Sequence, residues 1–127
     1  MKAKELMLGD WVYVNGNYPH RVYSLDKDAQ RIDIFSQECD IQPIPISAEI
    51  LEKNGFEKSY NEVQKREQWL HADDYYDILI YEYSDGMYRV VVISCEISNY
   101  EEICYVSYMH QLQQFLRLCG IDKNIEL

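Results

Sequence analysis

The chain is short of positive charge: 12 Lys and Arg stand against 22 Asp and Glu, a net charge of −10 at neutral pH. That balance repels phosphate backbones at long range and argues against general nucleic-acid binding. The one basic cluster, Lys58, Lys65 and Arg66, is diluted by Glu57, Glu62 and Glu67 and reads as a solvated face. Long apolar runs are missing too. The longest aliphatic stretch, Val90 to Ile93, is far below the roughly 20 residues that span a bilayer. The opening MKAKELMLGDWV holds no signal-like apolar core. A soluble, cytoplasmic protein with no membrane association is expected.

Recognisable chemistry is also missing. Cys39, Cys95, Cys104 and Cys119 form no C-x-x-C pair and no zinc-ligand spacing, so reduced, mostly buried thiols are expected. There is no G-x-S-x-G elbow, no P-loop and no G-x-G-x-x-G turn. His71-Ala72-Asp73-Asp74 places an imidazole among carboxylates, but no second histidine follows at ligand spacing, and the stretch reads as an acidic loop before a strand. A Cys-His pair can be drawn from these residues, yet spacing gives it no support. With no convergent set of groups, the chain is expected not to be an enzyme. No catalytic, metal-binding or cofactor-binding residue is assigned.

What is present is the composition of a folded domain, 47% hydrophobic and 27% charged over 127 residues, enough to bury a core. The pattern predicts an α+β protein in two parts packed as one unit. Residues 1–46 are β-rich: DWVYVNG, HRVYSLD, RIDIFS and DIQPIPI are short strand-like runs separated by Asn-Gly-Asn, Asp-Lys-Asp and Ser-Gln-Glu turns. They suggest a small curled β-sheet or an SH3-like barrel. Residues 47–127 form an α+β part. Pro43 and Pro45 stop strand propagation, Ser47 caps a short connecting helix, AEILEKN, and Gly55 ends it, with Phe56 placed to fold back.

Residues 57–74 read two ways, Val63, Arg66 and Leu70 having helical spacing while Glu67, Trp69 and His71 alternate as in a strand. Beyond them, YDILIYEY and MYRVVVISC flank Ser-Asp-Gly and predict a hairpin. A two-residue turn at Asp85-Gly86 would pair Ser84 with Met87, Tyr83 with Tyr88 and Glu82 with Arg89. Tyr76, Ile78, Ile80, Val91, Ile93 and Cys95 would then share one face, and Leu79, Tyr81, Tyr83, Tyr88, Val90 and Val92 the other. A third strand, EEICYV, would follow, and in a symmetric arrangement Cys104 would lie opposite Cys95, as two core thiols rather than a disulfide.

Ser107 is placed to cap a closing helix that Gly120 stops. At 100° per residue, Tyr108, Met109, Leu112, Phe115, Leu116 and Cys119 make the buried arc. His110, Gln114 and Arg117 fall opposite, flanked by Gln113. These four are the candidate surface for a protein partner or a second subunit, against the simpler reading of a solvated polar face. The twelve tyrosines supply a second candidate. Tyr81, Tyr83, Tyr88 and Arg89 would form a sheet face suited to a planar, nucleotide-like ligand, with Arg117 and Lys123 as further cations in that half.

Three blocks, MKAKELMLGDWVYVNG, PIPISAEILEKNGFEK and YMHQLQQFLRLCGI, carry a resemblance across nearly the whole chain. In order and spacing they are similar to a family of small proteins of Bacteroidetes bacteria and of their phages and prophages. Members share a Met-Lys-Ala-x-Glu-Leu start, Pro-Ile-Pro-Leu-Thr followed by Ile-Leu-x-Lys-Asn-Gly-Phe, and a Tyr-Val-His-Gln-Leu-Gln helix. Met109 stands where the family has valine, and Cys119 where many members have threonine. The resemblance implies a setting, mobile elements in a bacterial cytoplasm, and no catalytic residues. The expected function is therefore a non-enzymatic interaction protein that acts on a host or phage protein. The alternative is a small-ligand binder that sequesters a nucleotide signal of host defence.

Overall fold

Two Gly-plus-hydrophobic pairs, Gly55-Phe56 and Gly120-Ile121, end the helices in the same way. In a computed structural model of the chain, which describes residues 10–14, 18–21, 24–26, 31–34, 37, 38, 41–73, 75–95, 101–121, 123, 125 and 126, α1 spans Ala48–Lys53 and α2 spans Met109–Leu118. After α1, Gly55 at φ +87° donates to Glu52 and Phe56 to Leu51. After α2, Gly120 at φ +77° donates to Arg117 and Ile121 to Leu116. Both are Schellman stops, in which a left-handed glycine turns the chain so that the next side chain returns to the core. Phe56 and Ile121 are buried accordingly.

The helix starts differ. Ser47 Oγ accepts from the Ile50 amide, as its position predicts. The residue at the N-cap of α2 is Tyr108 rather than Ser107, and Gln111 Oε1 reaches back to accept from the amides of both Ser107 and Tyr108.

The fold is α+β. The N-terminal part contributes β1 (Trp11–Val14), β2 (Tyr18–Arg21), β3 (Ser24–Asp26), β4 (Arg31–Ile34), β5 (Gln37–Glu38) and β6 (Ile41–Pro43). They form two three-stranded antiparallel sheets, β2-β1-β6 and β3-β4-β5. The connections that would close a barrel lie outside the described residues. From β6 the chain runs extended: Met109 donates to Ile44 and Ile46 to Ser107, fastening this segment to the start of α2.

The larger sheet has five antiparallel strands in the order β11-β10-β9-β8-β7. They are β7 (Glu57–Asn61), β8 (Arg66–Ala72), β9 (Tyr76–Ser84), β10 (Met87–Ser94) and β11 (Glu101–Val106). The stretch with two readings is thus a hairpin, two strands more than the hairpin-plus-one that the sequence suggests. Asn61 Oδ1 accepts from the amides of Val63 and Gln64, so the spacing of Val63, Arg66 and Leu70 straddles a turn and β8 instead of one helix.

The β9–β10 register differs from expectation by one residue. Ser84 faces Met87 across Asp85-Gly86, but a bulge follows, and Tyr88 pairs with Glu82 and Arg89 with Tyr81. A one-residue slip exchanges faces. Tyr88, Val90 and Val92 join Ile78 and Ile80 on the core side with Trp69, while Tyr81, Arg89, Val91 and Ile93 point outward with Leu79. The slip is favourable because it gathers the most apolar positions of both strands on one face. Cys104 lies opposite Val90, not Cys95, and Cys95, Cys104 and Cys119 are thiols.

α2 covers the inner face with Met109, Leu112, Phe115 and Leu116, all buried. Fully removing Leu112 from water contributes about 2 kcal/mol before entropy is counted. The C-terminal segment seals the end of this core: Ile125 is buried, Trp11 Nε1–H donates to its carbonyl at 2.7 Å, and Asn54 exchanges two hydrogen bonds with Glu126. Among the described residues no helix is long and apolar enough to cross a membrane.

Candidate functional site

The helix face expected to meet a partner is partly covered, with Gln114 half-buried and Arg117 exposed. His110 and Gln113 are buried, His110 stacked on Tyr108 with ring centroids 6.0 Å apart. Gln113 Oε1 accepts from the Trp11 amide at 2.9 Å. Gln114 donates to Asp10 Oδ2 at 2.8 Å and Arg117 donates to Asp10 Oδ1 at 2.6 Å. The helical wheel sends these residues away from the apolar core correctly. The start of β1 then meets Gln113, Gln114 and Arg117, which a wheel cannot foresee, because the contact is polar and comes from more than 100 residues upstream. Gln113, Gln114 and Arg117 form a seam between the two parts of the chain, and His110 packs on Tyr108.

The aromatic sheet face divides. Tyr88 goes to the core, edge-on to Trp69 at 6.4 Å between centroids. Burial and the neighbouring Glu82 raise its phenol above the ordinary value. Tyr81, Tyr83 and Arg89 stay on the outer face and are joined there by Arg66 and Tyr105. The Arg66 guanidinium lies 3.4 Å above the Tyr81 ring centroid, and Arg89 donates to the Tyr81 hydroxyl at 2.8 Å. Arg89 also sits 5.9 Å from the Tyr81 centroid and 6.0 Å from that of Tyr105, whose ring meets Tyr83 edge-on at 5.1 Å. Tyr81 is buried beneath the two cations, whereas Tyr83 and Tyr105 are 61% and 48% exposed. Leu70, Ile93 and Ile103 continue the exposed apolar surface across the sheet.

Neither guanidinium pairs with a carboxylate among the described residues, and the Nε of each is buried without a hydrogen-bond partner. In a chain with almost twice as many acids as bases this is unusual. The sheet register explains it. Asp77 and Glu101 face Ile93 at one end of the outer face, and the arginines lie toward the other, so Asp77 and Tyr81 are about 13 Å apart along β9. Arg66 was invisible as a site residue because its strand was not legible. Only its separation from Tyr81 in sequence, bridged by the β8–β9 pairing, puts it over that ring.

A separate cleft of about 410 Å³ is lined by His71, Asp73, Tyr75, Tyr76 and Lys123. Asp73 Oδ1 accepts from the amides of Tyr75 and Tyr76, and these two bonds lower its carboxyl below the ordinary value. His71 and Ala72 thus end β8 and Asp73 caps the start of β9, with Asp74 outside the described residues. His71 packs on Phe56, and burial, then Lys123, push its imidazole below the ordinary value. Burial likewise lowers the Lys123 ammonium, which stands over the Phe56 ring at 5.4 Å. A second cleft of about 250 Å³ lies between Tyr13, Ile44 and Ile50. Tyr81, Tyr83, Tyr88 and Arg89 line neither one. The described residues hold no cluster of three or more groups suited to a metal ion.

Compared with known protein families, with curated proteins and with solved structures, the chain finds no match. The surfaces themselves carry the functional argument.

Proposed function

We propose that the chain is a non-enzymatic binding protein that engages a protein partner through the outer face of its five-stranded sheet. One observation carries this reading. Arg66 and Arg89, without carboxylate partners among the described residues, crown a tyrosine beside exposed Tyr83, Tyr105 and Ile103. Aromatic and arginine side chains on an apolar field are the composition of interface cores. A nucleotide-signal binder would use the same rings, but a small ligand is held by enclosing most of its surface, and this face is open. The family resemblance supplies the setting, a phage or prophage protein acting on a host or phage protein in the bacterial cytoplasm.

The test compares the wild-type chain with Leu70→Asp and Ile103→Asp, each used as bait in extract of the bacterium that encodes it. Both positions are about 40% exposed, so the fold tolerates the change. A protein retained by the wild type at physiological salt and lost with both variants supports the proposal. Retention of nothing, or equal retention by all three, overturns it.

A further inference from the structure

We infer that the partner docks by placing a carboxylate between Arg66 and Arg89, as one Asp or Glu flanked by large apolar residues. This rests on the sheet-face reading above and specifies what that face recognises.

The two guanidiniums share one ring, at 3.4 and 5.9 Å from its centroid. Like charges so close repel, and inside a protein such a pair is ordinarily separated or bridged by an acid. Here no described acid does so, and among the described residues the polar partner of this pair is the neutral Tyr81 hydroxyl. The rings orient both forks while leaving most of their N–H donors unused, a geometry suited to a bidentate carboxylate. Beside the arginines the outer face is largely apolar: Tyr105 lies opposite Arg89, Tyr83 toward the β9–β10 turn, and Leu79 and Ile103 toward the sheet centre, with Gln68 as the polar neighbour on β8. The anion must therefore arrive with apolar neighbours on both sides.

A second copy of this chain does not fit. A self-contact would bring together two molecules that each carry −10.

The experiment selects random-sequence peptides from a display library on the full chain and measures the affinity of the enriched peptides for four forms. These are wild type, Arg66→Gln/Arg89→Gln, Arg66→Lys/Arg89→Lys, and Ile103→Asp. The expected peptides contain an acid between apolar residues. They lose roughly tenfold or more on the glutamine variant, less on the lysine variant, and lose binding on Ile103→Asp. The lysine variant keeps both charges and guards against a folding defect in the glutamine form. Peptides that need Ile103 but lack an acid, or bind the glutamine variant undiminished, overturn the inference and leave the proposed function standing. Peptides indifferent to Ile103→Asp, or no enrichment at all, overturn both. Cyclic and linear nucleotides are titrated in parallel by thermal shift. A shift that the glutamine variant abolishes assigns the arginines to phosphate and overturns the carboxylate reading.

Discussion

Arg117 and Asp10 meet at 2.6 Å across 107 positions of sequence, and the carboxylate between them has no exposed surface. Gln114 holds the second oxygen of the same carboxylate. This contact and the adjacent Gln113–Trp11 bond tie β1 to α2. Arg117→Ala removes the cationic partner of a buried carboxylate and is expected to cost about 3 kcal/mol, the low end for a broken buried pair because the arginine itself is partly exposed. Urea unfolding of Arg117→Ala, Asp10→Ala and the double variant measures it. A double variant that costs less than the two singles together confirms the coupling, and strict additivity refutes it.

The inner face of α2 provides a contrast on a single helix. Leu112→Ala is expected to cost roughly 2–5 kcal/mol, because the side chain is fully buried and its cavity cannot collapse completely. Leu118→Ala, at a position 86% exposed, is expected within about 0.5 kcal/mol of wild type. Equal losses at the two positions would mean that α2 is rotated from the orientation described.

Gly55 and Gly120 have open space where a Cβ would stand, so backbone conformation alone sets the cost of replacing them. Alanine at either position is expected to destabilise by about 1–2 kcal/mol. Asparagine, which tolerates the left-handed region, should cost less. Thermal unfolding of the four variants gives the ranking, and alanine doing as well as asparagine would contradict it.

The pH dependence has a definite sign. The folded protein holds the His71 imidazole below its ordinary value near 6.5, so the unfolded chain takes the proton first. This contribution is complete above about pH 6.5 and is lost as pH falls through the lowered folded value. Asp73, also lowered, behaves alike in a more acidic window: its contribution is present above the ordinary carboxylate value, near 3.8, and is lost as pH falls through the folded one. Denaturant midpoints measured from pH 7 downward should fall less steeply for His71→Gln just below 6.5 and for Asp73→Asn below 4. Profiles parallel to wild type would disprove the assignments.

Thiol reactivity should follow burial. Cys95 is exposed, whereas burial, followed by Glu102 and Cys104, raises the Cys119 thiol. In a Cys39→Ser background, an aromatic disulfide reagent at neutral pH should titrate Cys95 first and Cys119 last. Mass spectrometry of partially labelled protein identifies the order, and early loss of Cys119 would contradict it.

The sequence by itself determined the elements whose causes are local. Ser47 caps and Gly55 stops α1, Gly120 stops α2, and Asp85-Gly86 turns the β9–β10 hairpin, because the capping oxygen or the permissive glycine lies within a few residues of what it controls. The α+β character and the apolar face of α2 follow in the same way from periodicity. Tertiary structure decided what depends on distant partners. The bulge beside Met87 reassigns Tyr88 from the aromatic face to the core, a one-residue choice that only packing against Trp69 and α2 can settle. The hairpin of residues 57–72 becomes legible as strands only once β9 offers an edge to β8. Asp10 and Trp11 engage Gln113, Gln114 and Arg117 on the polar side of α2, and Arg66 reaches Tyr81 across a strand pairing. Charge and hydrogen-bonding capacity are written in the sequence, but which surface they serve depends on what the rest of the chain lays over them.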